Sequence, residues 1–372
     1  MNAWIEIDLG ALAHNTATLR ETMGDAVDVI AVVKANAYGA GAARFAFELQ
    51  RLGVPRFAVV WTSEAVALRE AGITKPIIVL GHSFPADAPI AVANGVTLTC
   101  HSLELGEALS RAATALERTA LVHIKVDTGL HRFGVTLDEA VTLGGQLHQL
   151  PNLLVEGLTT HMANADEPDD SFADTQDALF AKAAARLPWI PYRHTANSAT
   201  ALRREGLRYQ GIRSGLALHG VVPPNSPNPG LRPVLALRAR LARVAEVEAG
   251  EGVSYGLTWR AERPSRVGLV PVGYADGWRR ALGNMGSVLF NSVRCPMVGR
   301  VCMDQFLIDV TDQPAAVEGS VVTLLGADGA AGITADEVAA ESGTISWDVL
   351  ASLQARLPRL YVRDGLVEAI TA

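Results

Sequence analysis

Aromatic rings and pairable cysteines are scarce in this chain. Of 372 residues, 6% are aromatic and 3 are cysteine. Cys100, Cys295 and Cys302 are scattered, lack the close spacing of a zinc site, and as an odd number cannot all be joined in disulfides. A reduced compartment is expected, with a fold that needs neither disulfide nor structural metal. No basic block of five or more residues occurs, and the formal net charge is −7, which argues against a nucleic-acid partner. No apolar run approaches the ~18 residues of a membrane span. The opening segment MNAWIEIDLG carries acids and no basic stretch, so no secretory signal is expected. These absences predict a cytoplasmic protein with no membrane partner.

Hydrophobic residues, by contrast, make up 49% and charged residues 19%, the balance of a globular chain long enough for two domains. Alanine and glycine are abundant, which suits helices packed closely on a parallel sheet. Short β-branched runs begin at Asp28 (DVIAVV), Phe57 (FAVV), Pro76 (PIIVL), Val96 (VTLT), Ala120 (ALVHIKV), Leu153 (LLVEGLTT), Pro191 (PYRHT) and Arg208 (RYQGI). They recur at intervals of roughly 20 to 35 residues with amphipathic stretches between, such as residues 42–52 closed by Gly53. Eight βα units predict an α/β fold of the (β/α)8 TIM-barrel type rather than an open sheet. No GxGxxG follows the first strand, which speaks against a dinucleotide-binding fold.

Residues 221–233 (VVPPNSPNPGLRP) are dense in Pro and Asn and read as a linker. Beyond it the runs are β-rich with Gly and Pro turns, with one helix-like stretch at residues 334–342. The expected organisation is a barrel over residues 10–225 and a mainly β C-terminal domain over 226–372, joined by an N-terminal strand at 1–9 because AWIEIDL alternates apolar and polar residues.

A barrel enzyme works at the C-terminal ends of its strands. Strand-end and post-strand positions bring Lys34, Lys125, Arg132, His161, Asn197, Ser198 and Arg213 to one rim, although they lie far apart in sequence. Lys34 directly after an apolar strand reads either as a snorkelling side chain or as an amine whose pKa a low-dielectric site depresses, and so as a Schiff-base nucleophile. His161 and His194 with nearby acids could also be read as ligands of a metal-dependent hydrolase, although they lack tight metal-ligand spacing.

Eight blocks in order make a more specific pattern. AVVKANAYG from Ala31, KVDTGLHRFG from Lys125, THMANAD from Thr160, HTANSAT from His194, GVSYG from Gly252, PVGYADGW from Pro271, GRVCMDQ from Gly299 and RLPRLY from Arg356 resemble the motifs of alanine racemases and span nearly the whole chain. The resemblance implies a barrel-plus-β-domain fold, a head-to-tail homodimer, pyridoxal 5'-phosphate as cofactor and a small-molecule amino acid as substrate. It implies that Lys34 forms an imine with the cofactor and serves as base on one face. Tyr255 would be the opposite base, supplied by the partner subunit, with His161 beside it and Arg213 aimed at the pyridine nitrogen.

By the same likeness Ser198, Gly215 and Leu216 hold the phosphate, with Tyr38 and Tyr361 near it. Arg132 meets the substrate carboxylate, and Lys125 stands where many family members carry a carbamylated lysine that orients that arginine. Met303 approaches the substrate from the partner subunit, Asp304 supports that loop, and Tyr274 stands at the entrance. Three positions depart from the family's usual pattern: Ala40 for a histidine, Ser214 for a proline and His219 for a tyrosine.

The implied activity is interconversion of L- and D-alanine, supplying D-alanine for peptidoglycan. Racemisation of serine, lysine or a broad range of amino acids by the same groups is the alternative. A decarboxylase or aldolase on a related barrel is opposed by Arg213, because decarboxylases of that architecture place an acid at the pyridine nitrogen. A non-catalytic pyridoxal-phosphate carrier, a different class, is opposed by the second domain and its Tyr255.

Overall fold

In the computed structural model, which describes residues 1–371, the chain folds as two compact units. One comprises Leu12–Ala37 and Ala42–Arg232. The other comprises Met1–Ala11, Tyr38–Gly41 and the chain from Pro233 onward.

The first unit is a closed parallel barrel. After β1 (Ala3–Asp8), which belongs to the other unit, its strands are β2 (Asp28–Val32), β3 (Arg56–Val59), β4 (Ile77–Val79), β5 (Thr97–Cys100), β6 (Ala120–Lys125), β7 (Leu153–Thr159), β8 (Tyr192–His194) and β9 (Gly211–Ser214). Ile30, Phe57, Ile78, Leu98 and Ile124 are fully buried. Strands covered on both faces need such continuous apolar runs, and each full burial is worth about 1.5–3 kcal/mol. Pairing of β2 with β9 closes the ring and sets Ile30 opposite Arg213.

Closure also fixes register. Lys125 lies opposite Thr159, Thr159 opposite His194, and His194 opposite Gly211, so polar side chains from three strands share one level of the barrel beside a glycine of the fourth. Outside, helix Ala42–Arg51 turns Phe45, Ala46, Glu48 and Leu49 inward, the spacing of a helical stripe. Thr136 opens helix Leu137–His148 with a capping box shared with Glu139.

One strand begins later than its sequence suggests. RYQGI predicts a strand from Arg208, whereas β9 starts at Gly211. Tyr209 has φ 49°, a left-handed backbone that no strand holds, and its hydroxyl donates to Asp177. Arg208 donates to the carbonyls of Thr22 and Ala201. These two side chains clamp the surrounding helices instead of extending the sheet.

The second unit contains β10 (Leu235–Arg240), β11 (Arg243–Val247), β12 (Gly252–Val253), β13 (Trp259–Arg260), β14 (Ser265–Val270), β15 (Ser287–Phe290), β16 (Val293–Val298), β17 (Phe306–Asp309), β18 (Val321–Asp328), β19 (Ala331–Ile333), β20 (Arg359–Arg363) and β21 (Leu366–Thr371). The main sheet runs β11-β14-β17-β16-β15-β18-β10-β1-β20-β21, with β19 on β18 and a separate β12-β13 ladder. The N-terminal strand is therefore internal to this sheet, antiparallel to β10 and parallel to β20. Its burial alternates incompletely, because Trp4, Ile5 and Ile7 are all covered. Helix Ala335–Ser342 follows its cap Thr334, and a further helix, Ser346–Ala351, lies in a stretch whose sequence gave no helical signal.

Candidate active site

Lys34 follows β2 by two residues and opens an unusual turn. Ala35, Asn36, Ala37 and Tyr38 have φ of 51°, 55°, 51° and 50°. This is one turn of left-handed backbone without a glycine, costing roughly 1–2 kcal/mol per residue. Its restraints are local. Ala37 N–H donates to Val33, Ala35 N–H donates to Glu64 Oε1 at 2.7 Å, and Asn36 Oδ1 accepts from Ala42 N–H. Glu64 also accepts from Val60 and Trp61, so one carboxylate ties the turn to the next strand–helix junction. Burial lowers the pKa of Lys34, the Arg132 guanidinium lowers it further, and Glu64 opposes them. The result is a more nucleophilic amine.

Arg213 is the most heavily tethered side chain at this rim. It is 4% exposed. Nη1 donates toward Thr159 Oγ1, His194 Nδ1 and the His194 carbonyl, and Nη2 toward the Thr160 and Thr195 carbonyls and His161 Nδ1. Among the described residues, only Nε–H of this guanidinium lacks an acceptor. Burial, with Arg132 nearby, pushes Arg213 down to about 9, which leaves it charged at neutral pH.

His161 accepts from Arg213 at 2.9 Å through Nδ1. Burial first, then Arg213, Arg132, Lys125 and Lys34, hold it well below the ordinary histidine value. A neutral imidazole whose Nδ1 accepts must carry its proton on Nε2. His194 Nδ1 is likewise given to Arg213, at 2.8 Å. A guanidinium between the two imidazoles repels a second cation, which removes the metal-ligand reading of this pair.

Lys125 is buried, its Nζ 3.6 Å from the centre of the Phe133 ring. Burial, Arg132 and Arg213 push it down to about 7. The folded state therefore disfavours its ammonium form. That penalty is full below about 7 and vanishes above the ordinary 10.5, so this group makes stability rise with pH across that interval. In carbon-dioxide-free buffer, Lys125→Met is expected to flatten the rise. Denaturant midpoints at both ends of the interval measure it, and an unchanged slope in the variant contradicts the assignment. Arg132 is exposed on the next loop, where Asp127 accepts from the Gly129 and His131 amides.

Ser198 begins a short helix capped by Asn197, and its hydroxyl accepts from Gly215 N–H. Leu216 starts the next turn. The departures Ser214 and His219 sit in this region. Ser214 Oγ lies 3.5 Å from Ser198 Oγ. His219 stacks on Phe45 at 4.6 Å, and burial pushes it down to about 3, so it packs as a neutral ring.

The remaining sequence candidates belong to the second unit. Tyr38 is buried, and burial pushes its phenol up to about 12. Tyr361 is buried and donates to the Ala40 carbonyl at 3.0 Å, so its one donor is already engaged. Gly41, with φ 89°, is obligatory there, because a Cβ would stand 2.1 Å from the Tyr361 hydroxyl oxygen.

Tyr255, Met303, Tyr274 and Asp304 are tied into one region. Ser254 donates to the Arg300 carbonyl, Tyr274 N–H to Cys302, and Ala275 N–H to Met303. Arg356 bridges Asp276 and Asp304 at 2.6 and 2.8 Å. Tyr255 is 72% exposed and Met303 55%, and Leu257 and Tyr274 are exposed as well.

Three groups escape sequence reading: Glu64, Glu156 and His123. Glu64 binds the turn after Lys34. His123 and Glu156 sit within apolar strands and reach Arg213 through His194. A charged or imidazole side chain in the middle of an otherwise apolar strand was the available signal.

A closed parallel barrel whose rim carries a lysine of depressed basicity and a buried, tethered arginine is the architecture of a (β/α)8-barrel enzyme. Residues 7–223 match the family model of the alanine racemase N-terminal domain, and residues 234–361 that of the C-terminal domain. The alanine racemase of Desulfovibrio desulfuricans is 40% identical over 365 residues, covering 96% of this chain and 98% of that protein. The alanine racemase of Bacillus anthracis, with bound L-Ala-P, gives a TM-score of 0.92 at 37% identity, covering 100% of this chain and 97% of that one. That of Bartonella henselae, with covalently bound pyridoxal phosphate, gives 0.87 at 29% identity, covering 97% and 100%. The chain belongs to the alanine racemase family.

Proposed function

We propose that this protein interconverts L- and D-alanine with pyridoxal 5'-phosphate, as a cytoplasmic homodimer supplying D-alanine for peptidoglycan. The observation that carries the reading is likeness to alanine racemases through both halves of the chain. The donor set fits a phosphorylated pyridine aldehyde. Lys34 offers an activated amine, and Arg213 Nε–H offers a fixed donor for a ring nitrogen. Ser198 with the turn at Gly215 and Leu216 offers neutral donors for a phosphate. Tyr38 and Tyr361 complete the assigned cofactor set.

When bound, the cofactor supplies the conjugation that accepts electrons as the Cα–H bond breaks. The residues do the rest. Lys34 Nζ takes or returns the proton on one face. The phenol of the partner subunit's Tyr255 does so on the other. A phenol has an ordinary pKa of about 10 and needs a donor to its oxygen, which His161 Nε2–H can provide. Arg132 holds the substrate carboxylate. The partner subunit's Met303 borders the substrate, with Asp304 supporting its loop and Tyr274 lining the approach. The exposure of Tyr255, Leu257, Tyr274 and Met303, all large apolar side chains, supports coverage by a second copy. Three free cysteines support a reducing compartment.

Because Arg213 can only donate, it would hold a pyridine nitrogen unprotonated and so leave the bound cofactor a weak electron sink. Reprotonation at Cα is thereby favoured over transamination. Arg213→Glu is expected to raise pyruvate formed per racemisation turnover by about tenfold or more, and an unchanged ratio contradicts this role. The function itself is tested by incubating the cofactor-loaded protein with each L-amino acid and resolving products by chiral chromatography. D-alanine is the expected main product, and its absence refutes the reading.

A further inference from the structure

A line of polar side chains runs along the inside of the barrel from Arg213 to a carboxylate that the mechanism above does not use. Arg213 Nη1 meets His194 Nδ1 at 2.8 Å. His194 Nε2 meets His123 Nδ1 at 2.8 Å. His123 Nε2 faces Glu156 Oε2 at 3.6 Å, and among the described residues each of these buried atoms is otherwise without a partner, so the two meet as a long polar contact. Glu156 Oε1 accepts from Arg56 Nη1 at 2.7 Å. Arg56 lies 4.2 Å from the centre of the Tyr192 ring and 3.4 Å from Asp28, which accepts from the Tyr192 hydroxyl.

The barrel makes room for this line with glycine. A Cβ on Gly157 would stand 2.6 Å from the His123 ring, and one on Gly211 would stand 2.4 Å from the Tyr192 hydroxyl oxygen. Both imidazoles are fully buried.

The line has a direction. Arg213 can only donate, so His194 Nδ1 must accept, and a neutral His194 then carries its proton on Nε2. That proton is donated to His123 Nδ1, which leaves the His123 proton on Nε2, facing Glu156. Thr159 Oγ1 also lies 3.2 Å from His194 Nδ1 and can donate to it or accept from it, but the Arg213 contact is complementary only in this order. Burial, led in the case of His194 by Arg213 among the charges, lowers both histidines, so both are neutral. Glu156 is held down to about 2, chiefly by His123 and with Arg56 adding, against its own burial, so it is a carboxylate.

We propose that Glu156 is a positioning residue for Arg213: acting through His123 and His194, it holds both imidazoles as Nε2–H tautomers and so keeps His194 Nδ1 as the acceptor that anchors the guanidinium. The proposal rests on the preceding functional reading only for what Arg213 does to the cofactor. The tautomers stand without it.

Glu156→Gln tests the direction. Arg56 can only donate, so it draws the amide oxygen toward itself and turns the amide NH2 to His123 Nε2. His123 must then accept at Nε2 and carry its proton on Nδ1. His194 follows, and its Nδ1–H confronts Arg213 Nη1. The conflict settles there because Nη1 keeps Thr159 Oγ1 and the His194 carbonyl as fallback acceptors.

Long-range proton–nitrogen spectra of histidine-labelled holoenzyme read the tautomers. Wild type is expected to show Nε2–H at His123 and His194, and Glu156→Gln to show Nδ1–H at both. The variant's kcat is expected to fall roughly ten- to a hundredfold with KM for alanine little changed, the pattern of a misoriented partner. Adding Arg56→Met frees the amide to turn its oxygen back, and both Nε2–H signals are expected to return. An Nδ1–H or doubly protonated imidazole at either position in wild type overturns the proposal. So does a Glu156→Gln variant that keeps wild-type tautomers. Should that variant not fold, the wild-type spectrum alone decides. Holoprotein with the expected tautomers but no racemase activity would defeat the functional reading and leave this inference standing.

Discussion

Lys34→Ala is expected to lower kcat for alanine racemisation by about 10^4-fold or more and to erase the absorbance of lysine-linked cofactor. The substitution removes nucleophile and base together and leaves the surrounding turn intact. The restraints on that turn come from Val33, Glu64 and Ala42, none of which uses the lysine side chain. Loss of activity with an unchanged denaturation midpoint therefore reports chemistry rather than unfolding. Chiral chromatography and an absorption spectrum on one sample suffice. Wild-type turnover or an undiminished lysine-linked band in the variant ends the assignment of Lys34.

Tyr255→Phe is expected to separate two events that wild type couples. Enantiomers have equal free energy, so kcat/KM must fall by the same factor in both directions, here about 10^2–10^4-fold. The two-base arrangement shows itself instead in solvent exchange. With the phenol gone, Lys34 can still remove and return the Cα proton on its own face. In deuterium oxide one enantiomer of alanine should exchange its Cα hydrogen much faster than it racemises, and the other should hardly exchange. Tyr255 is 72% exposed in the single chain, so this substitution perturbs the fold little. Equal exchange of both enantiomers, or near-normal racemisation, would assign the second base elsewhere.

The barrel was legible because its early strands are apolar on both faces. Runs such as DVIAVV and PIIVL have no polar face, and only a sheet covered on both sides accommodates them. The rim residues were legible for a related reason: each ends or follows such a run. Lys34, Lys125, His161, Ser198 and Arg213 could be located by counting strands, and the ordered motifs named the family.

The connections between strands were not legible. Arg213, His194, His123 and Glu156 come from β9, β8, β6 and β7, and only the side-by-side pairing of these strands makes them neighbours. A line of polar contacts across four strands leaves no local spacing to read. The left-handed turn after Lys34 was equally hidden. Backbone with positive φ is normally marked by glycine, and none stands between Ala35 and Tyr38. The late start of the last barrel strand has the opposite origin. Arg208 and Tyr209 look suited to a strand, but their partners on outer helices outweighed that preference.

That turn has a consequence for anyone altering the neighbourhood of Lys34. Positions 35–38 are filtered by handedness before chemistry is considered. Valine, isoleucine and threonine, with branched Cβ atoms, suit that backbone least, whereas glycine and asparagine suit it best. A randomised library there should return small or amide side chains regardless of the substrate used for selection, so diversity intended to reshape the pocket is better placed on the loops after the other strands.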